Sequence, residues 1–469
     1  MESIDKKERS IIVSIILAGA FMGWITQSLL TCALPKIMTS LSISANKAQW
    51  LTTFYLMVLG VMIPLTAYLI DKFATRKIFI FCMAIFTFGS IIAAFSTNFT
   101  MLLTARILQA AGAGILMPLV QYVVLLLYPV EQRGTAMGMV GLVIGLAPAL
   151  GSVISGLLVD SYGWNSIFYV LSLSSILNLI IAVPFLRNVG ETREVELDIQ
   201  SVVLSTIGFG ALLFGFSTQG SYGFFNIITI MQLAIGSLAL IWFVVRQFKL
   251  EQPLLDLRVF KDSAFTVSVI LVMVVNTALI SASILIPIYI QIARGYSALV
   301  SGVFMVPGIA IMAVLNPYTG YLMDKYGPRL LSIVGLCLLT LGTFGFSSAT
   351  ETTALILFEI MFTIRLIGVA MALMPLTTWG LNGLQKQYLS HGTAVHNTLR
   401  QVAGAIGSAT IISIMTSTAQ KASSVSAEQA QIYGINKAFF ISGIMLVISV
   451  LLAILTVDKK SKVKLFQHH

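Results

Sequence analysis

The chain has 469 residues, of which 57% are hydrophobic and only 10% are charged. A soluble domain carries roughly 25% charged residues, so this composition excludes an ordinary soluble protein and indicates a polytopic membrane protein. The formal charge of +10 does not indicate nucleic-acid binding, because basic residues collect in the cytoplasmic loops of membrane proteins and no basic patch here is interleaved with aromatic residues.

A membrane-spanning helix needs roughly 20 apolar residues. On this criterion the chain is predicted to be all-α, with no cleavable signal and with both termini on the same side of the membrane. In chain order we predict fourteen spans, at 11–32, 49–70, 78–96, 101–127, 135–158, 166–186, 199–218, 227–248, 264–291, 297–323, 329–347, 353–380, 393–418 and 436–457.

The distribution of lysine and arginine predicts which side holds the termini. The loops on the opposite side from the termini carry only Lys36, Lys47, Arg294, Lys421 and Lys437. Positive residues stay inside, so we expect both termini in the cytoplasm. The basic residues on that side include Lys6, Lys7, Arg9, Arg133, Arg187, Arg193, Arg246, Lys249, Arg258, Lys261, Lys386 and the tail residues Lys459, Lys460, Lys462 and Lys464.

A short charged sequence occurs twice, each time after an apolar segment that contains a proline, Pro64 or Pro317. Duplicated halves around a central path are typical of secondary transporters, so the repeat predicts two related halves. Tyr68, Leu69, Asp71, Lys72 and Arg76 of the first copy recur as Tyr321, Leu322, Asp324, Lys325 and Arg329.

Two further segments repeat at a similar distance. Asp71 and Asp324 are 253 residues apart, Arg106 recurs as Arg365 after 259 residues, and the Gly-Thr-Ala sequence at 134–136 recurs at 392–394 after 258. These offsets predict six spans, an insert, and six related spans. The predicted domains are 1–198, an insert of two helices at 199–263, and 264–469, with flexible linkers at 188–198 and 249–262.

The repeated loop is predicted to act as a cytoplasmic gate. Asp71 ends one helix and Arg76 opens the next, so the two can pair across the loop or dock on a neighbouring helix end and hold one conformation closed. The alternative is that these charges only anchor the helices at the lipid surface. The predicted gate residues are Asp71, Lys72, Arg76, Asp324, Lys325 and Arg329.

The fifth span is rich in glycine. The run of Gly141, Gly145, Pro148, Gly151 and Gly156 has roughly four-residue spacing, which allows another helix to approach closely, and Pro148 favours a kink. Generic helix packing is the alternative explanation.

Ionised groups inside apolar spans are costly and tend to be functional. Glu359 is the only carboxylate that the sequence places well inside a span, so we predict that it carries protons or balances the charge of a drug. A structural ion pair with an arginine of another helix, or a wet outer position, remains open. Asp160 is a second, weaker acid near the outer end of the fifth span. The buried bases are predicted to be Arg106, Arg365 and Arg400.

Other chemistries find little support in the sequence. His391 and His396 are too few ligands for zinc; we expect His391 at a helix entrance and His396 in polar packing. No phosphate-binding loop is present, so ATP is not expected to drive the protein. We therefore expect no metal and no cofactor.

These segments resemble a known family. The chain is similar to the major facilitator superfamily and, within it, to the 14-span drug:proton antiporter-2 family, closest to its lincomycin-resistance branch. The resemblance extends over nearly the whole chain and rests on DKFATRK, DKYGPR, LLTARILQAAGAG, GLVIGLAPALG, TQSLLTCALP, ILMPLV, LMPLTTWGLNGL and HGTAVHNTLRQVAGAIGSA.

The resemblance implies two six-helix bundles around a central cavity, alternating access, and drug efflux driven by the proton gradient. It also implies a location in a bacterial cell membrane, small amphipathic drugs and protons as the transported species, and the lipid bilayer as a partner; we expect a monomer and no nucleic-acid partner. Export of a dedicated lipid or metabolite is the alternative, and a polytopic membrane enzyme is a more distant one.

The chain departs from the family pattern in its first span. Many members carry an aspartate where this chain has Thr26, followed by Gln27, so the coupling is expected to fall to Glu359 or Asp160. In addition, Ala67 replaces the first glycine of the loop signature.

Overall fold

The computed structural model describes residues 5–222, 226–422 and 426–458. Within them, fourteen helices are long and apolar enough to cross a membrane, which confirms the predicted number of spans, and no strand is present. The helices are α1 (Lys6–Leu41), α2 (Ala45–Lys72), α3 (Thr75–Ala94), α4 (Phe99–Leu127), α5 (Arg133–Tyr162), α6 (Ser166–Phe185), α7 (Ile199–Tyr222), α8 (Ile227–Lys249), α9 (Ser263–Ile288), α10 (Ala298–Tyr326), α11 (Pro328–Phe346), α12 (Leu355–Asn382), α13 (Leu389–Lys421) and α14 (Ala427–Thr456).

Several helices extend beyond their apolar segments because polar residues cap their ends. The side chain of Asp5 accepts from the amide of Lys6 and opens α1 five residues before the predicted span. Ser426 accepts from the amide of Gln429 and opens α14 nine residues early. Hydrophobicity therefore locates the membrane-crossing part of a helix, whereas the capping residue sets its end.

The helices pack into two units, each of which takes segments from both halves of the sequence. The first unit comprises Met1–Pro129, Leu146–Val259 and Lys386–Thr398, so it includes α1–α4, the second half of α5, α6–α8 and the start of α13. Its apolar core includes the fully buried Leu30 and Phe168. The inserted pair α7–α8 belongs to this unit, and its two helices meet closely at Gly236, where a Cβ would lie 2.8 Å from the amide nitrogen of Leu212.

The second unit comprises Val130–Gly145, Phe260–Gln385 and Leu399–His469. It includes the start of α5, helices α9–α12, the rest of α13, and α14. The ring of Phe346 packs against Phe358 and Phe439, with centroids 4.7 and 5.0 Å away. The two units group residues by their contacts and not by their order in the sequence. The predicted domain boundaries at 198 and 263 therefore stay a prediction.

The predicted flexible linkers on either side of the inserted pair are hydrogen-bonded and partly buried. Val189, Leu254 and Val259 are all buried. Residues Leu257–Lys261 form a short 3-10 turn. Four lysines used in the charge argument, Lys459, Lys460, Lys462 and Lys464, lie outside the described residues.

Candidate functional site

Asp324, in the second copy of the repeated loop, binds the N-terminus of α5. One carboxylate oxygen accepts from the amide of Gly134 at 2.7 Å, and the other accepts from the amide and the hydroxyl of Thr135 at 2.8 and 2.6 Å. These amides belong to the first helical turn, which has no intrahelical acceptors and carries partial positive charge. We call this contact, between Asp324, Gly134 and Thr135, the Asp324 latch.

The backbones of α5 and α10 touch beside this latch. A Cβ on Gly320 would collide with the carbonyl oxygen of Gly134, and one on Gly138 would lie 2.5 Å from the carbonyl oxygen of Asn316. The side-chain amide of Asn316 also donates to the carbonyl of Gly141 at 3.1 Å. Only glycine permits this separation, so these glycines set the fit of α5 on α10.

The other predicted glycines of α5 face different neighbours. A Cβ on Gly145 would lie 3.2 Å from Cα of Ala313, in the second unit, whereas one on Gly151 would lie 2.7 Å from Cβ of Ser28, in the first. Pro148 is exposed. The glycine pattern therefore serves close packing along α5.

Asp71, in the first copy of the loop, is bound differently. One oxygen accepts from the hydroxyl of Ser390 at 2.7 Å, and the other lies 3.3 Å from Nε2 of His391. Both partners are side chains at the start of α13. We call this contact, between Asp71, Ser390 and His391, the Asp71 latch.

The linkers of the inserted pair pack around the Asp71 latch. The amide of Arg193 donates to the carbonyl of Asp71 at 2.7 Å, and the amide of Asp256 donates to Nδ1 of His391 at 3.1 Å. A cavity of about 200 Å³ lies between these segments. The inserted helices are thus joined to the latch through both of their linkers.

An ion pair fixes one of these linkers to α8. Arg246 donates to both oxygens of Asp198 at 2.7 and 2.8 Å, and the hydroxyl of Ser201 adds a third bond. Hydrogen bonds from Arg246, helped by Ser201, hold the pKa of Asp198 well below its usual range. The carboxylate therefore stays ionised throughout the physiological range.

The arginines of the repeated loop dock on neighbouring helix ends. Arg76 donates to the carbonyl of Val183 in the last turn of α6 at 2.5 Å, and Arg329 donates to that of Ile454 in the last turn of α14 at 2.8 Å. The final carbonyls of a helix lack intrahelical donors, which explains this placement. Of the two arrangements predicted for Asp71 and Arg76, the structure has docking.

The lysines of the loop rest on aromatic rings. The ammonium of Lys72 lies 5.3 Å from the ring centroid of Tyr68, and that of Lys325 lies 5.2 Å from that of Tyr326. Such cation–π contacts contribute little when exposed, so these residues fit the anchoring role better than the gating one.

Arg106 is fully buried in α4 beside neutral partners. It donates to Gln109 at 2.8 Å, and its guanidinium carbon lies 4.0 Å from the ring centroid of Tyr55. Tyr55 in turn donates to the carbonyl of Gly23 at 2.7 Å, which joins α1, α2 and α4. Within the described residues Nε and Nη2 of Arg106 have no hydrogen-bond partner, so two donors remain directed into the protein.

Arg365 occupies the matched position in α12 with a different set of neighbours. Its Nε donates to the hydroxyl of Thr343 at 3.0 Å, and Nη2 donates to the carbonyl of Ala278. No aromatic ring is recorded over it in the described part of the chain. Arg400, predicted to be buried, is partly exposed.

Glu359 lies in the second turn of α12. It is the fifth residue of α12, so it lies about 6 Å along the axis from the first residue. It is partly exposed and accepts from the hydroxyl of Thr363 at 2.8 Å. Asp160 is exposed at the end of α5, 4.0 Å from Lys36. Their roles in coupling stay predictions.

The first-span position that lacks an aspartate is satisfied locally. Thr26 is buried and donates to the carbonyl of Met22 one turn earlier, while Gln27 is partly exposed. In the same unit, the side-chain amide of Asn397 donates to Gln121 at 2.7 Å and links α13 to α4.

Sequence reasoning missed several partners. Tyr55 and Gln109 read as ordinary span residues, and Asp256 as part of a linker. One signal was available: Arg133 and His391 each precede the repeated Gly-Thr-Ala, 258 residues apart. Arg133 donates to Asn382 at 2.8 Å, next to the Asp324 latch.

The fourteen apolar helices of the described residues indicate a multi-pass membrane protein. The Major Facilitator Superfamily pattern matches residues 16–408, which is more than half of the chain. The protein belongs to the major facilitator superfamily.

Comparisons with individual proteins agree with this assignment. The chain is 43% identical to the MFS-type transporter YcnB of Bacillus subtilis, over 96% of each chain. It is 38% identical to the lincomycin resistance protein LmrB of Bacillus subtilis, over 87% of this chain and 86% of that one. The human organic anion transporter MFSD10 has the same fold, with a TM-score of 0.67 and 14% identity over 95% of this chain and 99% of that one.

Proposed function

We propose that the protein exports small amphipathic drugs across the bacterial cell membrane in exchange for protons, as a monomer with both termini in the cytoplasm. The observation that carries this proposal is the likeness to LmrB, a lincomycin resistance protein, over most of both chains. The proton gradient is the proposed energy source, with no further cofactor. The bias of basic residues toward one set of loops supports the orientation.

The two latches support alternating access as the mechanism. Each joins an acid of the repeated loop to the start of a helix from the other half of the sequence. Such contacts involve few residues and can be broken and remade. A cycle in which they open on the cytoplasmic side gives the substrate access from that side.

Glu359 is our first candidate for the proton carrier, and Asp160 is the second. Within the described residues, Thr363 is the side chain that donates to Glu359, and the glutamate is partly exposed. Arg106 and Arg365 are proposed to link neighbouring helices within their own units. Each also has guanidinium N–H groups without a hydrogen-bond partner among the described residues. Thr26, Gln27 and Arg400 are proposed to line the substrate path.

Transport by purified protein in liposomes tests the proposal. An imposed proton gradient should drive uptake of lincomycin or a cationic dye into inverted vesicles, and Glu359→Gln should abolish the response to the gradient while dye binding persists. Glu351→Gln is the matched control, because it removes an exposed carboxylate of the loop before α12.

Each result decides between clear alternatives. Normal gradient-driven transport by Glu359→Gln would exclude Glu359 as the proton carrier. The corresponding substitution of Asp160 would then be tested. Wild-type protein that ignores the gradient for every drug, yet transports one lipid or metabolite, would replace drug efflux by a dedicated export function.

A further inference from the structure

His391 has a partner on each of its two ring nitrogens. Nε2 lies 3.3 Å from the carboxylate of Asp71, and Nδ1 accepts the backbone amide of Asp256 at 3.1 Å. Asp256 lies in the linker that leads from the inserted pair to α9. One imidazole therefore joins that linker to the Asp71 latch.

This arrangement requires a neutral ring with its proton on Nε2. That tautomer donates to Asp71 and accepts from Asp256 at the same time. A second proton on Nδ1 removes the lone pair that accepts the amide, and places two N–H groups against each other. The same proton makes the ring cationic and strengthens its attraction to Asp71. One protonation thus has opposite effects on the two contacts.

Several ionisable groups face His391 from the elements around it. The cavity beside the ring is lined by α2, by both linkers and by the start of α13. Asp198 is already occupied by Arg246, so Asp71 is the carboxylate in direct contact with the imidazole. The ionisable residues lining this cavity are Tyr68, Asp71, Arg193, Glu196, Asp198, Glu251, Asp256, Tyr388 and His391.

The second unit has a permanent cation at the corresponding position. Arg133 lies 258 residues before His391 and precedes the same Gly-Thr-Ala sequence. Arginine stays charged at any physiological pH, whereas histidine changes its charge between pH 5 and 8. A proton response is therefore available at one of the two positions only.

We propose that His391 is a proton-responsive tie between the inserted helices and the Asp71 latch. The neutral ring holds the 250–262 linker on the latch, and the protonated ring releases the linker while keeping Asp71. This gives the inserted pair a role: its attachment to the Asp71 latch changes with pH. The inference does not depend on which solute is transported.

Hydrogen–deuterium exchange of the purified full chain tests the tie without any substrate. Wild type, His391→Gln and His391→Arg are compared at about pH 8 and about pH 5.5, on either side of the usual range for histidine. Gln keeps an acceptor and a donor without charge, whereas Arg is always charged and has no acceptor. The reporting peptide covers 250–262, and the reference peptide covers 133–145 at the Asp324 latch.

At the higher pH, wild type and His391→Gln should exchange alike, and His391→Arg about threefold to tenfold faster in the 250–262 peptide, the change expected from one lost hydrogen bond. At the lower pH, wild type should match His391→Arg. Because variants are compared at the same pH, the intrinsic exchange chemistry cancels.

Two outcomes would overturn the inference. If the 250–262 peptide of wild type exchanges like that of His391→Gln at both pH values, His391 gives no proton response. If the same peptide of His391→Arg exchanges like that of wild type at the higher pH, His391 does not hold the linker. If a variant also disturbs the 133–145 peptide, wild type alone decides. Its 250–262 peptide must lose protection relative to 133–145 on acidification, after correction for intrinsic rates.

Discussion

The two copies of the charged loop use the same aspartate in different ways. Asp324 accepts three hydrogen bonds from Gly134 and Thr135, two of them from backbone amides, at a point where two helix backbones touch. Within the described residues, the carboxylate of Asp71 contacts two side chains, those of Ser390 and His391. The Asp324 latch uses backbone amides where α5 and α10 touch, so moving these amides would separate the two helices. The Asp71 latch uses the side chains of Ser390 and His391, which can rotate.

This difference indicates that the two halves are not mechanically equivalent. The Asp324 latch joins one carboxylate to two backbone amides and a threonine hydroxyl, and it contains no histidine. The Asp71 latch contains a histidine and carries the linkers of the inserted helices. The inserted pair therefore contacts the Asp71 latch, whose side-chain contacts can be changed at a lower energetic cost than those of the Asp324 latch.

The largest effect is expected from Gly320→Ala. The added methyl would collide with the carbonyl oxygen of Gly134, so α5 and α10 must separate and the Asp324 latch must break. Forcing a methyl into a packed site costs about 1–3 kcal/mol, so we expect export to fall about tenfold or more. The initial rate of gradient-driven export by equal amounts of reconstituted protein measures it.

Gly302→Ala provides the control for that variant. Gly302 lies in the same helix, and a Cβ there meets no atom within 4 Å, so export should stay near the wild-type rate. Equal rates for Gly320→Ala and Gly302→Ala would contradict the close fit.

A smaller and unequal effect is expected when each aspartate is made neutral. Asp324→Asn removes the charge that accepts three bonds at a helix N-terminus, and hydrogen bonds to a charged group contribute about 1.5–3 kcal/mol each. Asp71→Asn keeps an acceptor for Ser390. We expect export to fall roughly tenfold for Asp324→Asn and about threefold for Asp71→Asn.

Exchange in the 133–145 and 389–398 peptides should report the loss of each latch separately. Glu194→Gln removes one exposed carboxylate from a linker and controls for the change in net charge. The comparison between the latches fails if Asp71→Asn proves the more damaging of the two.

Much of the fold could be predicted because membrane spans are long and apolar. The repeat also singled out Asp71 and Asp324, because a charge that recurs at matched positions of two loops indicates a similar role in both. Their partners were not predictable, because Asp324 meets Thr135 from 189 residues away and Asp71 meets Ser390 from 319. Hydrophobic patterns carry no information on which helix start meets which loop.

The site predictions show the same division. Arg106 was found as a charge in an apolar span, but its aromatic neighbour Tyr55 reads like any other core residue. Glu359 was found as a carboxylate inside a predicted span, but its partial exposure depends on neighbouring helices that hydrophobic patterns do not specify. Docking of the linkers was missed because polar, irregular segments resemble free loops until their partners are known.

The smallest effect is expected from Ala67→Gly, the reverse substitution at the matched position of the first copy. Ala67 lies 253 residues before Gly320 and is fully buried. A side chain is already tolerated there, so removing it adds backbone freedom, which costs about 0.5–1 kcal/mol in a helix, and loses the burial of one methyl group. Ala110→Gly, at another buried alanine inside a helix, measures this general cost. Thermal unfolding should shift equally in both variants, and export should stay within about threefold of wild type.

If Ala67→Gly instead lowered the export rate as much as Gly320→Ala, the first unit would depend on a helix contact as close as that of the second. The mechanical difference between the two latches would then have to come from His391 alone.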